Sequence, residues 1–203
     1  MPLLETCLPP ETELPIHGGR IGPLSAAEFE GWAQEDANPC ELIAGWVVPM
    51  SPGNVKTGMI LPRLAALLMA RCDRRSWTLL QDARHRLPAP SHTVVFPDLA
   101  IHCSADIPVL SATDTADRTP DLVIELLGEE TQARDRAPHG AKFLAYQLSG
   151  VREYYYAWPD GREPAGFCLE NGAFVPIEPD EDGFFASPLL EAKLRLAPAA
   201  LTG

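Results

Sequence analysis

A chain of 203 residues is long enough for one domain and too short for two ordinary enzyme domains, and 46% hydrophobic with 22% charged residues provides material for a real core, which excludes disorder and fibrous repeats. The formal charge of −12 argues against a protein that clings to nucleic acid by bulk electrostatics, because phosphate binding draws on excess lysine and arginine. Apolar runs such as Leu64 to Ala70 fall far short of the roughly 20 residues that span a bilayer, and five scattered cysteines without a C-x-x-C pair signal neither a disulfide framework nor a zinc site.

Residues 1–23 hold five of the 21 prolines and the pair Gly18-Gly19, so they read as an extended N-terminal arm ahead of one domain over 24–203. Glutamates stand where a signal peptide needs positive charge, and with the cysteine pattern this makes a cytoplasmic, membrane-free location the expectation. Ser25-Ala-Ala-Glu28 is a capping-box pattern opening a helix to about Gln34. Cys40 to Met50 reads as a hairpin folded about Ala44-Gly45. From Lys56 to Cys72 the apolar residues follow helical spacing, with Pro62 expected in or near the first turn.

Trp77 to Leu80, Arg84 to Leu87 and Val94 to Ile101 read as strands, with a hairpin turn at Pro88 to Ser91. Residues 104–119 read as a polar loop. Leu122-Val-Ile-Glu-Leu-Leu127 is an apolar run broken by one carboxylate, the pattern of a buried central strand carrying a functional residue. A short helix from Ala141 to Leu148, with Phe143, Leu144 and Leu148 on or near one face, ends at Gly150. A strand from Val151 to Trp158 closes at the turn Pro159-Asp-Gly161, and Asn171-Gly172 marks a further hairpin. Leu189, Leu194 and Leu196 point to a last short strand or irregular segment. Tyr154-Tyr-Tyr156 alternates across a strand, which favours core packing over base stacking.

Residues that bear on chemistry stand out against this frame. A carboxylate inside an apolar strand costs several kcal/mol unless it is paired or holds a cation, and Glu125 is such a group. Asp98 follows Pro97 at a strand entrance; two such strands side by side would bring both acids to one Mg²⁺, which takes one or two carboxylates and keeps several waters. Lys142 on the next helix could lean over that site. The stretch 56–86 holds seven basic residues against Asp73 and Asp82, so Lys56, Arg63, Arg84 and Arg86 are candidates to meet phosphates, against the plainer reading of a solvated face. Histidines 17, 85, 92, 102 and 139 lack ligand spacing, although His85 in the basic hairpin could touch a phosphate.

Pro97-Asp98, Glu125 in a Val-Ile-Glu strand and a lysine on the following helix resemble the PD-(D/E)xK nuclease superfamily. Over about residues 24–197 the chain is most similar to the Uma-two family of restriction-endonuclease-like proteins, on Cys40 to Gly45, Met50-Ser-Pro52, Phe96 to Ala100, Pro120 to Glu125, Arg134-Asp135 with Lys142 to Tyr146, and Gly150 to Tyr154. The resemblance implies an α/β restriction-endonuclease-like fold with a mixed central β-sheet flanked by helices. It also implies a Mg²⁺- or Mn²⁺-dependent DNA endonuclease. Asp98 and Glu125 are then the metal carboxylates, Lys142 the catalytic lysine and Glu41 an accessory acid. In the superfamily pattern a lysine lies two residues after the second acid, where this chain has Leu127; the helix lysine takes its part. Cutting two strands suggests a homodimer. A rival reading is a nuclease-like scaffold that has lost turnover and binds nucleic acid or protein, which the charge of −12 favours.

Overall fold

The computed structural model describes residues 23–33, 39–50, 55–72, 77–110, 114–128, 136 and 140–196. All but Pro23 of the expected arm, together with Arg134-Asp135, lies outside them.

Three helices and fourteen strands occur among the described residues. Helix α1 (Ala26–Ala33) opens on the expected capping box: Glu28 N donates to Ser25 Oγ at 3.2 Å and Ser25 N returns to Glu28 Oε2 at 2.9 Å. Strands β1 (Cys40–Ile43) and β2 (Trp46–Pro49) pair about Ala44 and Gly45, whose φ of 53° and 89° give the left-handed two-residue turn that suits a twisted hairpin. Helix α2 (Val55–Cys72) carries Pro62 well inside it, two turns from its start, on the solvent side where the ring meets no packed neighbour element.

The expected strand from Val94 to Ile101 is two strands. Pro97 cannot donate to a ladder, and around it the chain passes from β5 (Thr93–Val95) in one sheet to β6 (Leu99–His102) in the other. Before them lie β3 (Thr78–Gln81) and β4 (His85–Leu87). The expected loop 104–119 contains two-residue strands β7 (Val109–Leu110) and β8 (Thr115–Ala116), too short to show a period of two. Strand β9 (Leu122–Leu126) leads to α3 (Ala141–Ser149) and then to β10 (Glu153–Ala157), which lies parallel to β9. Gly150, at φ 83°, ends α3 in the left-handed conformation. Strands β11 (Ala165–Glu170) and β12 (Ala173–Ile177) form the Asn171-Gly172 hairpin, and the C-terminal segment is a full hairpin of β13 (Phe184–Ser187) and β14 (Ala192–Arg195).

One sheet runs β2-β1-β5-β4-β8-β7 and the other β12-β11-β10-β9-β6-β3. Strand β9 is therefore central, parallel to β10 and antiparallel to β6. Its two faces enter different cores. Leu122, Ile124 and Leu126 pack with Ile60, Leu64 and Leu68 of α2 and with the C-terminal hairpin. Val123 and Leu127 pack with Phe143 and Tyr146 of α3 and with Ile43, Leu87 and Val95 of the first sheet. Burial on both faces explains the near-continuous apolar run in β9. Helix α3 buries Ala141, Lys142, Phe143, Ala145 and Tyr146, so of the apolar residues expected on or near one face Phe143 is buried while Leu148 is 53% exposed. The helix is turned by the charged side chain it must bury.

Candidate functional site

Glu125 stands on the α3 side of β9, because it alternates with Val123 and Leu127. Lys142, in the first turn of α3, reaches it: Lys142 Nζ lies 2.7 Å from Glu125 Oε1 and 3.0 Å from Glu41 Oε1. One helical turn later the Tyr146 hydroxyl donates to the same Glu125 Oε1 at 2.7 Å. Glu41 Oε1 also accepts the Phe96 N–H at 2.8 Å. One ammonium thus ties β1 of the first sheet to β9 of the second, and all three of these charged residues are at most 3% exposed.

Asp98 completes the group through strand register. Leu99 pairs with Ile124 in the antiparallel β6–β9 ladder, so the next step outward sets Asp98 opposite Glu125, on the same face and with Cβ atoms about 5 Å apart. Asp98 Oδ2 accepts the Leu126 N–H at 2.6 Å. Asp98 is half-buried where the others are buried, so the cluster meets solvent on its side.

Glu41 and Glu125 share the Lys142 ammonium, and Asp98 adds a third carboxylate on the solvent side. A divalent cation would be drawn to such a group of acids. Among the described residues no three His, Cys, Asp or Glu groups converge as a ready-made ligand cage. The opposed pair Asp98 and Glu125 suits Mg²⁺ or Mn²⁺, which accept two carboxylates and keep waters, better than a cage-seeking ion. Tyr146 is held as a phenol: burial, then the charges of Glu125 and Glu41, push its ionisation well above the usual range, so it stays a donor to Glu125.

The basic residues are not one surface. Lys56 and Arg63 are exposed on α2. Arg84 lies over the Phe96 ring with its guanidinium carbon 5.1 Å from the ring centroid. Arg86 is drawn into an ion pair with the buried Glu30 of α1, so it anchors that helix to β4 instead of facing a ligand. His85 is likewise no phosphate contact. It is fully buried and its Nδ1 donates to the Ala83 carbonyl at 2.7 Å, with Nε2 turned 3.0 Å from His102 Nε2. Tyr146 is the member of the cluster that sequence reasoning missed as a participant; its position four residues after Lys142 was the available signal.

Residues 26–199 match the sequence model of the family described as "Uma2: Putative restriction endonuclease". The chain belongs to the Uma2 family. The structure is similar to the crystal structure of a "putative nuclease" from Anabaena variabilis ATCC 29413, with a TM-score of 0.67 and 16% identity over 89% of this chain and 98% of that one. At that identity the likeness establishes a shared fold. No curated protein matches the chain. No helix among the described residues is long and apolar enough to cross a membrane. Of the acids and lysine implied by the family resemblance, Glu41, Glu125 and Lys142 meet from β1, β9 and α3, and Asp98, just ahead of β6, accepts the Leu126 N–H.

Proposed function

We propose that this Uma2 protein is a divalent-metal-dependent endonuclease that hydrolyses DNA phosphodiester bonds. The observation that carries the reading is the buried Lys142 ammonium in contact with Glu125 and Glu41, with half-buried Asp98 across the β6–β9 register from Glu125. Asp98 and Glu125 would hold Mg²⁺ or Mn²⁺, which when bound supplies Lewis acidity and an acidified water. Lys142 contributes a fixed positive charge near the reacting phosphate and holds Glu125 in place. Glu41, itself fixed by the Phe96 N–H, acts through Lys142 by orienting it. Tyr146 holds Glu125 in place through its hydroxyl hydrogen bond. A phosphodiester enters from the Asp98 side. Two-strand cutting calls for two such sites, which a homodimer would supply.

Nicking of supercoiled plasmid in Mg²⁺ or Mn²⁺ tests the reading. Wild type should cut, and Asp98→Asn and Glu125→Gln should each lose at least about a hundredfold in rate. Equal cutting by all three overturns it. The second reading, a scaffold without turnover that binds nucleic acid or protein, is favoured by Lys142 serving as a buried tie between two sheets and by the overall charge of −12. It predicts no cutting and no Mg²⁺- or Mn²⁺-induced rise in the thermal midpoint. The enzyme predicts a rise that Asp98→Asn abolishes.

A further inference from the structure

A cleft of about 480 Å³ lies at the carboxyl ends of the parallel strands β9 and β10, the edge at which open α/β sheets commonly bind ligands. Leu127 forms part of its wall. The Leu127 N–H donates to the Ala157 carbonyl at 2.8 Å, so the chain is still extended there, and Leu127 shares a face with Glu125 about 7 Å back along the strand. That separation is on the scale of one nucleotide step in an unstacked strand.

The lining is of two kinds. Val55, Leu127 and Pro159 give apolar walls, while Lys56 enters from α2 and Arg162 from the turn after β10. Arg162 is fixed in place: its guanidinium carbon sits 3.6 Å from the centroid of the buried Trp158 ring, and its Nη2 lies 2.7 Å from Asp160 Oδ2. Lys56, Arg162 and Asp160 together leave the cleft one positive charge. In a chain of −12, beside an acidic cluster that repels phosphates, a local positive rim matters more than its size suggests. Apolar walls with two cations match a nucleotide, which offers a flat base, a sugar and an anion.

We infer that this cleft seats the nucleotide adjoining the scissile phosphate, with its phosphate between Lys56 and Arg162 and its base and sugar against Val55, Leu127 and Pro159. The inference rests on the nuclease reading. It adds a specific residue, Arg162, and a place for the strand to either side of the cut.

The test is fluorescence anisotropy with a short fluorescein-labelled single-stranded DNA in EDTA, where binding is read without cutting. The Lys56→Ala/Arg162→Ala double variant should bind about tenfold more weakly, and the slope of log affinity against log salt should shrink by about 1.4, at roughly 0.7 per lost phosphate contact on a single strand. Arg152→Ala is the control for loss of a basic residue away from the cleft: Arg152 is exposed just ahead of β10 and pairs with Asp121, at the other end of that strand from the cleft. It should leave affinity unchanged. Lys56 and Arg162 are exposed, so both variants should keep the wild-type unfolding midpoint. Equal weakening by Arg152→Ala overturns the cleft. So does wild-type affinity in the double variant, and if that protein and wild type both nick plasmid, the nuclease reading stands without the cleft. Absence of any DNA binding and nicking by wild type removes both.

Discussion

Two carboxylates are buried on neighbouring strands of one sheet, and they are satisfied in opposite ways. Glu153 of β10 faces the C-terminal hairpin and accepts three neutral donors: the Tyr155 hydroxyl at 2.8 Å, Ser187 Oγ at 2.6 Å and the Leu189 N–H at 2.6 Å. Glu125 of β9 faces α3 and shares a lysine ammonium with a second buried acid, with a third acid across the strand. Neutral donors satisfy a carboxylate's lone pairs and fix a tertiary contact, here docking β13 and the turn after it onto the sheet. An ammonium shared between Glu41 and Glu125 instead satisfies them with charge. The kind of donor separates a structural acid from a chemical one where burial cannot.

The largest effect should come from the ammonium. Lys142→Met leaves Glu41 and Glu125 without that countercharge, and breaking a buried pair in this way costs about 3 kcal/mol or more. Urea denaturation should show that loss, and plasmid nicking should fall to background. Wild-type stability would mean the carboxylates are compensated elsewhere, and the contrast with Glu153 would dissolve. Next comes a crossed pair of substitutions. Glu153→Gln turns an amide toward three donors, which should cost about 2 kcal/mol and spare nicking. Glu125→Gln keeps the side chain's shape and leaves Lys142 paired with Glu41, so stability should move by less than about 1 kcal/mol while nicking is lost. Parallel behaviour of the two variants refutes the distinction.

The two tyrosines refine it further. Tyr146 and Tyr155 each donate to one of these acids from a buried position, and in each burial and the neighbouring carboxylate push the phenol ionisation upward. Either change to phenylalanine should cost about 1 to 2 kcal/mol. On the proposed nuclease reading, in which Glu125 and not Glu153 takes part in the reaction, only Tyr146→Phe should lower kcat, by about tenfold with KM little changed. An equal kcat in both variants would make Tyr146 merely structural.

How far this was legible in sequence depended on whether each signal was local. A lone acid in the apolar run of β9 and the turns at Ala44-Gly45 and Asn171-Gly172 are visible along the chain, because strand period and left-handed turn residues are local properties. The opposition of Asp98 and Glu125 is a matter of register between strands separated by β7 and β8, and no spacing encodes it. The buried face of α3 was only partly legible: Phe143 and Leu144 pack inward as apolar residues do, Leu148 does not, and the lysine and tyrosine that contact Glu125 and Glu41 are turned inward with no mark in their type. Glu153 looked like one more strand residue. Its donors come from residues 155, 187 and 189, and two of these are over thirty positions away.

The smallest effect concerns a third buried polar contact, which is neutral like that of Glu153 and joins the sheets like that of Lys142. His85 of β4 and His102 of β6 meet edge to edge with their Nε2 atoms 3.0 Å apart and their planes within 9°. The Ala83 carbonyl can only accept, so His85 carries its proton on Nδ1, its Nε2 accepts from His102, and His102 Nδ1 is left bare and buried with no hydrogen-bond partner. A second proton has nowhere to go between the rings. Burial lowers both ionisations, that of His102 to about 4, with His85 and Arg118 acting in the same direction and Asp121 against them. The unfolded chain therefore binds protons more readily than the folded one, and this contribution to stability is present above about pH 6.5 and is lost as pH falls toward 4. Between pH 7 and 5.5 the pair should cost the fold about 1 kcal/mol, read as a falling urea midpoint. Replacing both histidines by leucine should flatten that limb while leaving plasmid nicking intact. A limb equally steep without the histidines would assign the acid sensitivity to the carboxylate cluster around Glu125.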